Sequence, residues 1–309
     1  MGKHSGVKKV KRANYFLMGL LFLFLAGGVY FAATALLNNQ PEEPSKVVVK
    51  SSQSQASKEN PVTSQATTTS SLSTTQQTSQ TKTVQLDTAA LTANAEQVYY
   101  GVYYFKSGQE FSSHNSAPTV SASVIKVFIM EYAFSQGNLN QQVQGKTIHD
   151  WVIPMIQQSD NEATNVLIEY FGMAPLNQFF QAQGYLDTHL ERKMLDTVAR
   201  SSGKENYTSL NDCMAFLKKL YLKQENYPQS AMLDIMKGQT IRTKIPSKLP
   251  SEIVVANKTG ELDNAENDIG LVLTEENPFA IVVLTKNFTT VEKIQSAIGD
   301  FALSATKMN

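Results

Sequence analysis

The sequence predicts an α+β domain in which a five-stranded antiparallel sheet is flanked by helices and a helical subdomain. Three observations predict it. Residues 98–105, VYYGVYYF, and 110–113 read as two early strands around the turn signal KSG. Residues 253–257, 270–273 and 279–284 read as three late strands, short and rich in β-branched residues. Between the two groups the apolar residues recur at helical spacing. Strands so distant in the chain form one sheet only if the two ends of the domain meet, with the helices packed against it.

Taken in order, the 309 residues begin with a basic head, 1–12, carrying Lys3, Lys8, Lys9, Lys11 and Arg12 and no acid. Residues 13–37 follow as 25 uncharged, mostly apolar positions, and about 20 such residues cross a bilayer as a helix. Positive charge before the span keeps the N-terminus inside and puts the rest of the chain outside. The segment is expected to be a retained membrane anchor in a single-pass protein of the cell membrane. The competing reading is a long signal peptide cut near Ala33-Thr34-Ala35, which makes the protein secreted. Residues 38–84 are rich in Ser, Thr and Gln with few large apolar side chains, a composition that cannot offset the entropy of ordering and reads as a disordered stalk.

Residues 85–309 form the expected extracytoplasmic domain. Helices are predicted over 86–96, 124–134, 148–157, 161–171, 175–183, 209–222, 230–236 and 290–305. From Glu96 onward there are 23 acidic and 18 basic side chains, which excludes a basic nucleic-acid surface. The single cysteine, Cys213, sits in an apolar helical pattern and reads as buried and inert. The four histidines lack metal-ligand spacing, so no metal and no cofactor is expected. Trp151 and the cluster Tyr99, Tyr100, Tyr103, Tyr104 and Phe105 read as core and sheet packing.

The chemistry concentrates in three short stretches. In TVSASVIKVFIM, Ser123 and Lys126 are three apart, so a helix opening at Ser123 projects both from one side of its first turn. A helix N-terminus favours negative charge on the serine oxygen. The apolar VFIM after Lys126 predicts a buried helix, and desolvation lowers a lysine pKa toward a value useful in a base. In QQSDNEATN, Ser159, Asp160 and Asn161 lie between two helices, where they also suit a helix cap. In IVVANKTGELD, Lys258, Thr259 and Gly260 end a strand, and Gly260 alone suits a turn.

S-x-x-K, S-D-N and K-T-G in this order resemble the motif set of penicillin-binding proteins and class A β-lactamases. Ser159 follows Ser123 by 36 residues and Lys258 follows Ser159 by 99, spacings similar to class A. The resemblance covers the chain from about Leu86 onward and implies the β-lactamase/transpeptidase-like fold. By resemblance Ser123 is the acylated nucleophile, Lys126 its proton acceptor or a relay, and Ser159 the hydroxyl that passes a proton to the leaving nitrogen. Asn161 orients the substrate amide and holds Lys126. Lys258 and Thr259, with Gly260 completing the motif, bind the substrate carboxylate. The N–H groups of Ser123 and Glu261 form the oxyanion hole. The implied partner is a peptidoglycan-related peptide or a β-lactam.

Departures qualify the implied activity. Class A enzymes carry a deacylating glutamate in a context like R-x-E-x-x-L-N; here Arg192 matches and Met194 occupies the glutamate position, with Glu191 and Asp196 as displaced acids nearby. A thioether cannot deprotonate water. Glu261 adds a carboxylate where a small residue is usual, and Thr119 replaces an aromatic residue four positions before the serine. Arg242 and Lys244 are weak candidates for carboxylate binding. The expectation is a serine acyl-enzyme hydrolase or penicillin-binding-like protein acting on D-alanyl-type amides or esters of the cell wall, poor as a β-lactamase. A non-catalytic wall- or peptide-binding module on the same fold is the alternative, and a true class A β-lactamase the third reading.

Overall fold

The computed structural model describes residues 86–308. The basic head, the span 13–37 and the stalk 38–84 lie outside the described residues. No helix among the described residues is long and apolar enough to cross a membrane.

A short helix, α1 (Ala89–Asn94), leads directly into β1 (Ala95–Tyr104) and then β2 (Glu110–Ser112). The helical reading of 86–96 was too long. Strand pairing wins at its end, because Ala95 pairs with Phe288 across the sheet. A two-residue strand β3 (Thr119–Val120) precedes a 3-10 turn, Ala122–Ile125, and α2 (Lys126–Ser135). The hairpin of β4 (Gln142–Val143) and β5 (Lys146–Thr147) opens the helical run α3 (Ile148–Gln157), α4 (Asn161–Phe171) and α5 (Met173–Ala182). After α6 (Thr197–Ser201) and β6 (Tyr207–Thr208) come α7 (Leu210–Leu222) and α8 (Gln229–Lys237). A second 3-10 turn, Ile245–Lys248, leads to β7 (Val254–Leu262), β8 (Ala265–Leu273), β9 (Phe279–Phe288) and α9 (Val291–Ala305).

The sheet is antiparallel and five-stranded, in the order β2-β1-β9-β8-β7. The two ends of the domain meet in it, with β1 paired to β9. Both faces are covered, so β9 reads as a continuous apolar run and not as an alternation. Ala280, Val282 and Leu284 face the helices α2–α5, α7 and α8. Phe279, Ile281 and Val283 face α1 and α9. Trp151 and Cys213 are buried in the first of these cores, and burial pushes the Cys213 thiol up to about 12. Tyr99 and Tyr104 pack into the two faces of the sheet, and Phe105 stacks on Tyr221 at 3.7 Å between ring centres.

The late strands are longer than their apolar patterns. Polar residues interrupt the pattern in β7 and β8, yet Asn257, Lys258, Glu266, Asn267 and Asp268 are all buried. Buried polar groups persist when they are hydrogen-bonded, and here the bonds run between strands and to the 3-10 turns. K-T-G therefore does not end a strand. β7 continues to Leu262, pairing with Ala265, and the chain turns only after that. Gly260 has a different cause: a Cβ on it would lie 2.8 Å from the Ser121 carbonyl oxygen and 3.1 Å from the Ser123 and Val124 nitrogens. The glycine lets the edge strand touch the backbone of the turn that carries Ser123.

Candidate active site

Ser123 opens from the 3-10 turn and not from the α-helix expected at that position, which begins at Lys126. The preceding Ala122 is held at φ 47°, in the left-handed region, a conformation that costs a non-glycine residue about 1–3 kcal/mol and persists only where surroundings impose it. The surroundings are visible. The Asn267 side chain donates to the carbonyls of Val120 at 2.9 Å and Ser121 at 3.3 Å, and Ser121 N–H donates to the Asn206 carbonyl at 2.9 Å. The first N–H groups of such a turn have no partner within it, which leaves the Ser123 N–H available beside β7.

Lys126 is wholly buried. Its Nζ donates to the Ser159 carbonyl at 2.7 Å, to Asn161 Oδ1 at 2.8 Å and to Ser159 Oγ at 3.3 Å. Burial lowers its pKa to about 7 against a smaller opposing pull from Asp160. The direct Ser123–Lys126 hydrogen bond suggested by their spacing is not formed among the described residues; fixed buried acceptors on the S-D-N turn take the amine instead. That turn is also strained, with Ser159 at φ 56°, which directs its carbonyl and hydroxyl oxygens at the same amine. Asp160 caps α4 by accepting from Ala163 N–H at 2.9 Å, so the cap reading of the motif holds together with its place in the site.

Lys258 approaches Ser159 from the sheet. Its Nζ donates to Ser159 Oγ at 2.9 Å and to the Thr259 carbonyl at 2.6 Å. Burial first, and the charge of Lys126 second, push its pKa well down. One hydroxyl thus bridges two desolvated amines, an arrangement through which a proton can move without crossing bulk water. A cleft of about 60 Å³ exposes Ser123 beside Asn161, Met194, Leu195, Glu261 and Leu262. A larger hollow, about 700 Å³, is lined by Lys106, Glu252, Thr306 and Met308 and by none of the motif residues.

A family described as the Beta-lactamase enzyme family matches residues 135–308, which include S-D-N and K-T-G. The chain belongs to this family. An imipenem-hydrolyzing β-lactamase of Enterobacter cloacae is 30% identical over 150 residues, 46% of this chain and 51% of that protein. The chain spans about half the length of this curated relative. Among solved structures, a β-lactamase from Sphaerobacter thermophilus DSM 20745 aligns with a TM-score of 0.62 and 24% identity, covering 71% of this chain and 94% of that one. PBP-A aligns with a TM-score of 0.59 and 21% identity over 69% of this chain and 91% of its own. These likenesses establish the β-lactamase-like fold.

Within this β-lactamase-family chain the loop departures have definite positions. Met194 is buried and lines the cleft with Leu195, and its backbone is gripped in both directions by the Asn165 amide at 2.8 and 3.1 Å. The displaced acids are not in the cleft lining. Asp196 caps α6 through Ala199 N–H at 2.9 Å, and Glu191 lies 3.5 Å from His189. Arg192 forms a buried pair with Glu205 at 2.6 Å. Among the residues lining the cleft, Glu261 is the one acid. Its Oε1 accepts from Lys244 Nζ at 2.5 Å, so Lys244 is a buried structural cation and not a free carboxylate binder. Arg242 is more exposed and lines a separate surface hollow with Pro246 and Val254. Asn165 and Asn267 escaped the sequence reading, and Lys244 entered it in a different role; only their place in the folded sheet and loop reveals what they hold.

Proposed function

We propose that the chain is a membrane-anchored, extracytoplasmic serine acyl-enzyme hydrolase that acts on D-alanyl-type amides or esters of the cell wall and is a poor β-lactamase. One observation carries the reading: the Lys126 amine, buried and tuned to about 7, sits one turn from Ser123 and shares Ser159 with Lys258. In this reading Ser123 Oγ attacks the substrate carbonyl and its proton passes to neutral Lys126. The N–H groups of Ser123 and Glu261 stabilise the negative charge that develops on the carbonyl oxygen. Ser159, fed by the two lysines, returns a proton to the leaving group, and Asn161 and Thr259 orient the substrate. With Met194 in place of a carboxylate, nothing in the cleft lining except Glu261 can activate water, so the acyl-enzyme is long-lived. The apolar span 13–37 and the polar tract 38–84 support an anchor and a stalk that hold the domain outside the membrane.

Exposure to a fluorescent penicillin, read by gel and intact mass, tests the reaction. The expected result is a covalent label that persists for hours and disappears in Ser123→Ala. Absence of label on folded protein at saturating probe overturns the proposal. Rapid loss of label, with free hydrolysed penicillin, favours a true β-lactamase, the reading suggested by the relative from Enterobacter cloacae. The non-catalytic module draws its support from Lys126, whose hydrogen bonds go to Ser159 and Asn161 and not to Ser123. Membrane fractionation with external protease tests the placement, which fails if the domain is protected in intact cells.

A further inference from the structure

The charges around the cleft do not suit a ligand carboxylate. Lys244 is wholly buried among three acids: Glu261 Oε1 at 2.5 Å, Glu266 Oε2 at 2.9 Å, and the buried Asp268, whose charge also acts on it. Asp268 is fixed in turn by Ile245 N–H at 3.0 Å and by the Asn257 amide at 2.9 and 3.1 Å. One cation is therefore shared by three carboxylates and has nothing left to offer a ligand. The other cations near Ser123 are committed as well. Arg192 is closed on Glu205, while Lys126 and Lys258 are buried with their amines on Ser159. Glu261 is different: its side chain is 45% exposed, it lines the cleft, and its Oε2 has no hydrogen-bond partner among the described residues. The wall next to the nucleophile thus presents an open acceptor oxygen on a carboxylate that β7 and Lys244 hold in place.

We infer that Glu261 is a specificity-determining residue that favours substrates presenting an N–H donor, an ammonium or a carboxamide, on the β7 side of the scissile bond, and slows, without abolishing, acylation by those presenting a carboxylate there, penicillins included. The inference rests on the proposed acylation of Ser123 and narrows its substrate class. Apposed like charges in a partly desolvated cleft repel strongly, and an acceptor left without a donor loses its hydration for nothing. An ammonium gains charge pairing with Oε2, and a carboxamide gains a hydrogen bond. Because Oε1 is pinned by Lys244, the oxygen needs no reorganisation to receive either.

The test uses the full chain in detergent and three matched depsipeptide esters with one D-alanyl acyl group. Their leaving parts differ only in carrying a carboxylate, a carboxamide or an aminomethyl group. Acylation rates by intact mass are expected to favour the ammonium and carboxamide esters over the carboxylate by about tenfold or more. Glu261→Gln is expected to bring the three within about threefold, and Glu261→Asp to keep the original ranking. Equal rates in the wild-type chain, or a ranking that Glu261→Gln leaves unchanged, overturn the inference. If no ester acylates Ser123, the proposed function falls, and calorimetric binding of the same three compounds to Ser123→Ala decides this inference alone. Tighter binding of the two N–H donors upholds it, and equal or reversed affinities overturn it.

Discussion

At the scale of the residue, reactivity follows from what burial does to two lysines. An exposed lysine near neutral pH is protonated and cannot accept a proton. Lys126 loses that protonation because water is excluded from it, and the acceptors around it can hold a neutral amine as well as a charged one. With a pKa of about 7, roughly a tenth of the amine is free at pH 6 and roughly nine-tenths at pH 8. In the proposed mechanism the neutral form is the base, so acylation is expected to rise with pH through about 7 and level off above 8. A rate of penicillin labelling that is flat from pH 6 to 8 removes Lys126 from the proton path. Lys126→Arg keeps the charge but cannot release it, and labelling at pH 8 is expected to drop by about 100-fold or more. The serine and lysine pair was legible in the sequence because both lie in one turn. The hold of Asn161 on Lys126 followed from the motif resemblance and is formed at 2.8 Å. The amine's attachment to Ser159 depends on a residue at φ 56°, and a serine in that conformation leaves no mark in the sequence.

At the scale of the element, the edge strand β7 and the first 3-10 turn act as one unit, and their contact is backbone against backbone at Gly260. A methyl group there meets the Ser121 carbonyl at 2.8 Å, and no rotamer change can relieve it. Gly260→Ala is expected to cost about 1–3 kcal/mol in urea unfolding and to slow acylation further, since the turn must shift and carry Ser123 with it. Normal labelling in a folded Gly260→Ala variant contradicts the contact. The charge cluster under β7 gives a second expectation. Lys244→Met leaves Glu266 and Asp268 buried without their cation, a loss of about 3–5 kcal/mol at pH 7.5. The sign of the pH dependence follows from Asp268. Burial raises its pKa to about 6, so the folded chain keeps a proton that the unfolded chain releases near 4. Its cost to stability therefore sets in as pH rises from about 4 to 6 and is complete above that. Removing Lys244 pushes the carboxyl further up, so the variant's deficit is expected to be large at pH 7.5 and smaller at pH 5. A deficit independent of pH shows that the lysine stabilises by packing alone. Lys244 and Glu261 stood out in the sequence, but their pairing did not, and Glu266 and Asp268 look like solvated strand residues until the register Thr259 to Asp268 and Glu261 to Glu266 stacks the group under one edge.

At the scale of the whole molecule, the early and late strand patterns were enough to read a five-stranded sheet, because β-rich runs at both ends of a helical middle have few ways to bury their apolar faces. The lengths were less legible: β7, β8 and β9 extend through polar residues that only cross-strand hydrogen bonds make tolerable, such as Asn267 Oδ1 accepting from Thr285 N–H at 2.9 Å. The same closure has a consequence for what folds alone. β1 lies next to the central strand β9 and pairs with it from Ala95 to Tyr104. α2 is buried along nearly its whole length, and its Phe128 packs edge-on to Tyr185 with ring centres 4.8 Å apart and lies 5.6 Å from Phe216. A fragment of residues 135–309, close to the stretch matched by the family, lacks β1, β2, α1 and α2 and therefore both Ser123 and Lys126. It opens β9 as a long apolar edge, which is a template for aggregation. A fragment of residues 86–309 keeps both faces of the sheet covered and is expected to unfold in one cooperative transition, monitored by near-ultraviolet circular dichroism and tryptophan fluorescence from Trp151. The shorter fragment is expected to lose that transition and to elute as aggregate. Cooperative unfolding of 135–309 as a soluble species means that the N-terminal strands, the turn that carries Ser123 and α2 are an addition to a self-sufficient core, and that the sheet does not depend on its two ends meeting.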